Sequence, residues 1–338
     1  DLDLSGGGTV DFNDQNLYLY TWDDATAANI GVAAEGGGAG GPFELTDGDL
    51  TNLDGSGASI FRVGEPGAQS GGITFTTAQI AGAASAAQFE FYSDAAGGGI
   101  TLDDGGDVSP AFDTNGAGAV WMFAGTNDLS ASRPSNGTAE IQTTGDVVLS
   151  STSQIGDDPP YHPIQFAGGG GGPNLVSIHG PGDAPAGTGA PDGAWLQGIG
   201  GEFSLGVLNS EGGLIDLGVT ANRIRLTQDI DTNGNSIRFR SPVLLDPQAG
   251  VSVANTITLN TGSTPAGAAG DIDFDDVLDA AAAGNDHLRI EALDAGAANL
   301  GSLTMTGQVG GVTPLGDVTI VNAGNVTVSA QMTAETVD

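Results

Sequence analysis

The sequence has no cysteine and no lysine, and only 14% of its 338 residues are charged. Without cysteine, neither disulfides nor thiolate metal sites hold the fold together. Aromatic residues make up 6% of the chain, and no apolar run approaches the roughly 18 residues that a membrane-spanning helix requires. We therefore expect no membrane insertion.

Basic charge is also scarce, since seven arginines face 42 acidic residues and the formal net charge is −35. Such a surface repels nucleic acid and anionic lipid, which excludes both as partners. The charge suits a solvated surface adapted to salt or to mutual repulsion; the alternative is cross-linking between molecules by divalent cations. The composition indicates an exported protein, located outside the cell or on its surface. No signal peptide opens the chain, so we expect a processed protein or a piece of a longer one.

Short alternating strands are what the sequence has in abundance. In residues 301–330 they are separated by Gly-Gly, Thr-Pro-Leu-Gly and Asn-Ala-Gly turns. Period-two alternation bounded by Gly, Pro and Asn is typical of strands and turns, and no helical apolar stripe is present. Strands restart after glycine throughout the chain. The clearest are Leu303–Thr306, Val318–Val321, Val326–Ser329, Ile73–Phe75, Ile100–Leu102, Val147–Leu149 and Ile272–Phe274.

This repetition predicts an all-β protein, a parallel β-solenoid with irregular Gly- and Pro-rich insertions. We divide the chain into an irregular solenoid part with loop insertions (1–155), a Gly- and Pro-rich insertion or connecting segment (156–212), and regular repeats (213–338). With rungs of about 20 to 25 residues, the last part holds roughly five or six. A short helical turn is expected only between Ile80 and Ala87.

The last 125 residues or so resemble the strand-repeat regions of large secreted bacterial exoproteins of the filamentous-haemagglutinin and autotransporter-adhesin type. The resemblance is carried by Gly270–Phe274, Leu303–Gly311, Thr313–Leu315 and Val318–Ile320. It implies a right-handed parallel β-helix, export, and an adhesive or scaffolding role. It brings no catalytic residues with it.

One segment has the spacing of a calcium-binding loop, D-x-D-x-N-G, with candidate ligands Asp229, Asp231, Asn233 and Asn235. The bidentate acid expected at position twelve is missing, because Arg240 stands there. An Asn-Gly pair between two strands is also an ordinary tight turn, since both residues tolerate positive φ. The turn is the first interpretation and calcium the alternative.

The sequence contains two further kinds of candidate site, tryptophans and paired acids. Trp22, Trp121 and Trp195 all fall in irregular passages, where they either anchor loops or stack on the sugar rings of a surface polysaccharide. Paired acids, as in polysaccharide-degrading β-helix enzymes, occur at Asp23–Asp24, Asp103–Asp104, Asp157–Asp158 and Asp275–Asp276. Neighbouring residues of one strand point to opposite faces, so such a pair alone makes no acid/base couple. We expect no enzymatic activity.

The ends of a solenoid expose unpaired backbone unless they are capped, and the sequence shows no capping helix at either end. Leu2 and Leu4 at one end and Val326 and Val328 at the other are candidate assembly residues. The sequence thus predicts an extracellular filament subunit or adhesin stalk, built by head-to-tail stacking of this chain or by neighbouring repeats of a longer one. A carbohydrate-binding surface module is the alternative, and a polysaccharide-degrading enzyme is less favoured.

Overall fold

The structure is a computed structural model. It describes residues 9–21, 24–31, 42–55, 59–80, 87–106, 109–133, 137–151, 153–156, 162–167, 174–178, 193–209, 214–219, 223–232, 234–247, 255–262, 269–292 and 300–338. The chain forms two compact units: unit 1 comprises 1–174 and 181–189, and unit 2 comprises 175–180 and 190–338. Each unit is built almost entirely of short strands.

Unit 1 contains seventeen strands and one helical turn among its described residues, α1 (Asp47–Leu50). The strands are β1 (Val10–Asp11), β2 (Asn16–Leu19), β3 (Ala28–Gly31), β4 (Phe43–Leu45), β5 (Leu53–Asp54), β6 (Ile60–Val63), β7 (Ile73–Thr76), β8 (Ala78–Gln79), β9 (Gln88–Tyr92), β10 (Ile100–Asp103), β11 (Phe112–Asp113), β12 (Val120–Phe123), β13 (Leu129–Ala131), β14 (Ile141–Gln142), β15 (Val147–Ser150), β16 (Gln154–Ile155) and β17 (Ile164–Ala167).

Unit 2 contains sixteen strands within the part of it that the structure describes. They are β18 (Val176–Ile178), β19 (Gly193–Ile199), β20 (Phe203–Asn209), β21 (Leu214–Val219), β22 (Ile224–Leu226), β23 (Ile230–Asp231), β24 (Ile237–Phe239), β25 (Val243–Leu245), β26 (Thr256–Asn260), β27 (Ile272–Phe274), β28 (Leu278–Ala280), β29 (His287–Glu291), β30 (Leu303–Met305), β31 (Leu315–Val321), β32 (Val326–Val328) and β33 (Ala334–Val337).

Every ladder between these strands is parallel, and each rung has three faces. In unit 1 the ladders follow the orders β4-β3-β7-β10-β13-β16, β2-β6-β9-β12-β15 and β8-β11-β14-β17. In unit 2 they follow β19-β21-β24-β27-β30-β32, β18-β20-β23-β26-β29-β31-β33 and β20-β22-β25-β28. Successive strands of one face are therefore separated in sequence by one whole rung, which confirms the predicted parallel β-solenoid.

Most ladders keep their register from rung to rung, apart from a shift between β18 and β20, so that apolar residues pair with apolar residues of the next rung. Ile73 pairs with Ile100, and Ile100 pairs with Leu129. All three are fully buried, while their neighbours along the strand are partly exposed. Period-two alternation thus places one apolar column on the inside of each face.

Aromatic rings fill the core of unit 1. The ring of Phe112 lies 5.2 Å from those of Phe75 and Phe91 and 5.7 Å from that of Phe89, centroid to centroid. Tilted and edge-on contacts of this kind add to the energy of burial. Three faces of the rung therefore meet in one aromatic cluster.

The corners between faces are closed by buried hydroxyl groups and by glycine. Ser93 donates its hydroxyl hydrogen to the carbonyl of Gly71 at 2.8 Å and accepts the Gly99 N–H at 2.7 Å. At another corner, a Cβ on Gly301 would stand 1.9 Å from the carbonyl oxygen of Gly270, so only glycine fits there. The backbone polar groups that the turns would leave unpaired are satisfied in this way.

The helical turn expected between Ile80 and Ala87 stays a prediction, and a turn that the sequence analysis did not predict is present elsewhere. Residues 81–86 of the expected turn lie outside the described residues, whereas α1 forms at Asp47–Leu50. Thr46 caps it: its hydroxyl accepts the Asp49 N–H, and the Asp49 carboxylate accepts the N–H of Thr46. This reciprocal pair is a capping box, a signal that the strand-centred interpretation of the sequence overlooked.

Replacing Phe112 by alanine should lower the free energy of unfolding by about 3–5 kcal/mol, because a ring that contacts three others leaves a cavity. Val312→Ala is the control, since its side chain is 84% exposed. Denaturant unfolding followed by circular dichroism measures both variants. Equal losses in the two would contradict the packing described for this cluster.

Candidate functional site

The last rung of unit 2 leaves the core open. One inward column runs through Ile272 and Leu303 to Val326, and the next runs through Phe274 and Met305 to Val328. The residues that precede the valines in these columns are at most 1% exposed. Val326 and Val328 themselves are 48% and 37% exposed.

A second face of the same rung ends in the same manner. Leu288 pairs with Val318, and Val318 pairs with Val337. Leu288 and Val318 are buried, but Val337 is 53% exposed. We refer to Val326, Val328 and Val337 as the terminal valines. They continue three core columns on β32 and β33, which are the edge strands of their sheets.

The first strands of unit 1 end differently. The edge strands there are β2 and β4, and on β4 the side chain of Leu45 is fully buried. Leu50 of α1 is also fully buried, and α1 packs against β3 and β8. A helical turn that the sequence analysis did not predict thus lies beside this edge. Leu2 and Leu4, the candidate assembly residues of this end, lie outside the described residues.

The candidate calcium loop lies around β23, and its carboxylates contact the next rung. Asp229 accepts the backbone N–H of Thr258 at 2.7 Å, and Asp231 accepts an amide hydrogen of Asn260 at 3.2 Å. Asn235 donates its side-chain amide to the carbonyl of Thr232 at 2.8 Å, which closes the turn. Asn233 lies outside the described residues. The side chains thus form contacts between rungs, which supports the tight-turn interpretation and leaves the calcium prediction open.

The two tryptophans that the structure describes occupy strands where the sequence indicated irregular passages. Trp121 lies in β12 and is half-buried, while Trp195 lies in β19 and is 6% exposed. Its indole packs across Gly193, where an added Cβ would meet the ring at 2.4 Å. The buried position favours a packing role for Trp195. Trp22 lies outside the described residues.

The acidic pairs that the structure describes contact their own turns or arginines of a neighbouring rung. Asp103 and Asp104 accept the N–H groups of Gly105 and Gly106, each at 3.0 Å. Asp275 pairs with Arg238, and Asp276 accepts the N–H of Val277. Over the described ranges, no group of three or more His, Cys, Asp or Glu side chains is arranged to hold a metal ion. These aspartates therefore act as turn and ion-pair residues.

Arginines are neutralised locally by acidic side chains. The pairs are Arg62–Glu90, Arg133–Asp103, Arg223–Glu202, Arg225–Glu202, Arg225–Asp246, Arg238–Asp275 and Arg289–Glu291. Glu202 is the clearest case, with Arg223 at 2.9 Å and Arg225 at 2.5 Å. Burial alone raises the pKa of Glu202, but hydrogen bonds and charge from the two arginines outweigh it, so the pKa is lowered.

Comparison with protein-family models, with curated proteins and with solved structures finds no match. In the part of the chain that the structure describes, no helix has the length and apolar character to cross a membrane. The function is therefore inferred from the geometry of the chain itself.

The Asp229 loop can be tested against Asp271, which accepts the N–H of Ser302 at the same 2.7 Å but lies outside the loop. Alanine at either position removes an acceptor between rungs and should cost about 1 kcal/mol. If the loop is only a turn, calcium shifts the unfolding midpoints of the wild type and both variants by the same amount. A calcium-dependent rise in the wild type and in Asp271→Ala, absent from Asp229→Ala, would establish the calcium site.

Lowering the pH should weaken unit 2 through Glu202. Because folding lowers its pKa, the ionised form stabilises the fold above the ordinary value of 4.5, and that stabilisation is lost as the pH falls through the folded-state value. The difference in unfolding free energy between the wild type and Glu202→Gln is expected to be largest near neutral pH and to shrink below pH 4.5. Glu335→Gln, at an exposed position, serves as the control. A difference that stays constant with pH would argue against the Arg223–Glu202–Arg225 pairing.

Proposed function

We infer that the chain is an extracellular structural protein, a filament subunit or adhesin stalk whose solenoid units join end to end. The observation that carries this proposal is the set of terminal valines, which continue three core columns of unit 2 and are exposed. An apolar column that stops at half-exposed side chains is completed when another rung is stacked on it. The resemblance of the last 125 residues to secreted exoprotein repeats supports the same function.

Strand addition is the mode of joining that this geometry favours. β32 pairs on one side with β30, and β33 pairs on one side with β31; both ladders are parallel and in register. A parallel strand added to β32 would gain main-chain hydrogen bonds and bury Val326 and Val328 together. The two valines are separated by one residue, so an incoming strand needs apolar residues with the same spacing.

Leu2 and Leu4 have that spacing. In the first residues of the chain, Asp-Leu-Asp-Leu, two leucines alternate with acids as inward and outward residues of a strand do. We therefore propose residues 1–4 of a second copy as the occupant of the β32 edge. The contact joins two different surfaces, so it extends into a filament unless the rotation closes a ring.

The expected free energies distinguish joining between separate copies from stacking within one longer chain. Completing the burial of three half-exposed valines contributes on the order of 2–3 kcal/mol, whereas association costs an estimated 4–15 kcal/mol. The joint between separate copies therefore depends on the added backbone hydrogen bonds and is reversible at low concentration. Within one longer chain the effective concentration is high, and the same joint is permanent.

The acidic surface opposes self-association, because two copies of net charge −35 repel one another. Divalent cations and salt reduce this repulsion. Assembly is therefore expected to strengthen with millimolar calcium and to weaken in chelator at low salt.

Lysine at both Val326 and Val328 should prevent assembly, because the pair then presents charge at the open core. Val312→Lys is the matched control, being an exposed valine that does not continue a core column. Negative-stain microscopy and sedimentation velocity, with calcium and with chelator, compare the three proteins. Far-UV circular dichroism confirms that the fold is retained.

Ordered fibres in the wild type and in Val312→Lys, with separate particles in the double variant, would support end-to-end joining. Fibres in all three would place the contact elsewhere on the chain. Separate particles under every condition would remove self-assembly and leave the stalk of a longer chain.

A further inference from the structure

A line of outward-facing side chains crosses four consecutive strands of unit 1. Tyr18 of β2 pairs with Arg62 of β6, Arg62 with Glu90 of β9, and Glu90 with Trp121 of β12. We call these four residues the aromatic file. With strands about 4.8 Å apart, the rings at its two ends are separated by about 14 Å.

The file faces away from the core. On the same strands the alternate residues Phe61, Phe89 and Val120 are fully buried and form an inward column. Tyr18 is 39% exposed, and Trp121 is half-buried. Tyr20, the next outward residue after Tyr18, is 49% exposed, with its ring 6.5 Å from that of Tyr18. Exposed aromatic surface is thus concentrated at one end of the file.

The polar centre of the file is held rigidly. Nε and Nη2 of Arg62 donate to Oε2 of Glu90 at 2.7 and 2.6 Å, and Gln88 donates to the other carboxylate oxygen at 2.6 Å. The guanidinium group lies 4.5 Å from the centre of the Tyr18 ring. Asn16 donates to the hydroxyl oxygen of Tyr18 at 2.6 Å. Because these side chains are already fixed, a ligand that contacts them loses little affinity to side-chain ordering.

Unused hydrogen-bonding capacity remains in this centre. Within the described structure, the contacts of Arg62 with Glu90 employ Nε and Nη2, which leaves the donors of Nη1. Glu90 is only 3% exposed, and its carboxylate already bonds to Arg62, Gln88 and the hydroxyl of Tyr92, so the groups left for a ligand are the donors of Arg62. The oxygen of a ligand hydroxyl group can accept a hydrogen bond from Nη1 of Arg62.

We propose that the aromatic file is a binding site for a neutral linear oligosaccharide. Its sugar rings stack on Tyr18 and Trp121, and its hydroxyl groups accept hydrogen bonds from Arg62, which Glu90 holds in place. Sugars carry an apolar C–H face and a rim of hydroxyls, and the file presents aromatic rings on either side of a hydrogen-bonding pair. Its length suits several sugar units lying across the strands.

The charges of the site and of the whole chain favour a neutral oligosaccharide over an anionic one. The only cation of the file is paired with Glu90, so no free positive charge remains for a sulfate or uronate group. The whole chain also carries a net charge of −35, which repels polyanions. This site differs from the three-tryptophan site expected from the sequence, since Trp195 is buried and only Trp121 belongs to the file.

Affinity gel electrophoresis tests the site with four neutral polymers, namely hydroxyethylcellulose, galactomannan, laminarin and dextran, and with alginate as a polyanion. The wild type should be retarded by at least one neutral polymer and not by alginate. Tyr18→Ala or Trp121→Ala should weaken that binding about tenfold, the loss typical of removing a buried aromatic contact. Tyr18→Phe, which keeps the ring, should retain most of it.

Controls separate binding from folding and from self-assembly. Val312→Ala, exposed and outside unit 1, should bind as the wild type does. The assembly-deficient variant, with lysine at Val326 and Val328, should also bind, because the site does not depend on end-to-end joining. Thermal unfolding of each variant identifies any loss caused by misfolding.

Three results would overturn the proposal. The first is an absence of retardation by all four neutral polymers. The second is retardation that persists in folded protein carrying both Tyr18→Ala and Trp121→Ala. The third is a preference for alginate, which would contradict the neutral class of ligand.

Discussion

In-register parallel stacking is the constraint on which every other feature of the chain depends. When a residue pairs with its counterpart one rung away, side chains of one type are brought together and form columns, as Ile73, Ile100 and Leu129 do. The hydrophobic effect then acts along the column, and each rung is stabilised mainly by its two neighbours. The outward residues are stacked by the same register, so a line such as Tyr18, Arg62, Glu90 and Trp121 is a direct product of the backbone ladder. The candidate ligand site and the open core share this origin.

Electrostatic pairing follows the same geometry. Arg62 stands opposite Glu90 on the next rung, and Arg225 lies between Glu202 and Asp246. Pairs of this kind at the surface contribute little individually to stability. These pairs instead affect how charge is distributed. Because the arginines are neutralised by nearby acids, the remaining acidic residues are not balanced by positive charge elsewhere on the surface. A molecule of this kind remains dispersed unless a specific joint or a divalent cation draws two copies together.

The sequence was sufficient to predict the class of fold, because glycine-bounded strands with period-two alternation have few other solutions. It did not show that Trp121 and Trp195 lie in strands, since glycine and alanine around them obscure the alternation. Helix α1 was missed because its signal, the Thr46–Asp49 capping box, spans a single turn. The aromatic file was not predictable. Successive members of the file are 28 to 44 residues apart in sequence, and only the register of the ladders brings them together. Val326 and Val328 were predicted from their position, whereas Val337 was not, because the core column that it continues is known only from the register of β31 and β33.

The close approach of glycines at the corners has a consequence for how the chain tolerates change. Gly301 stands against Gly270, and Gly270 stands against Asn235, each with no room for a methyl group. A larger residue at one corner would displace the following rung. Because each rung pairs in register with the next, the rungs beyond it would be displaced as well. Insertions confined to a loop leave the stacking of the rungs intact, whereas a single added carbon at a corner glycine disturbs it. We therefore expect such proteins to vary by gaining or losing whole rungs, and their corner glycines to be inherited together.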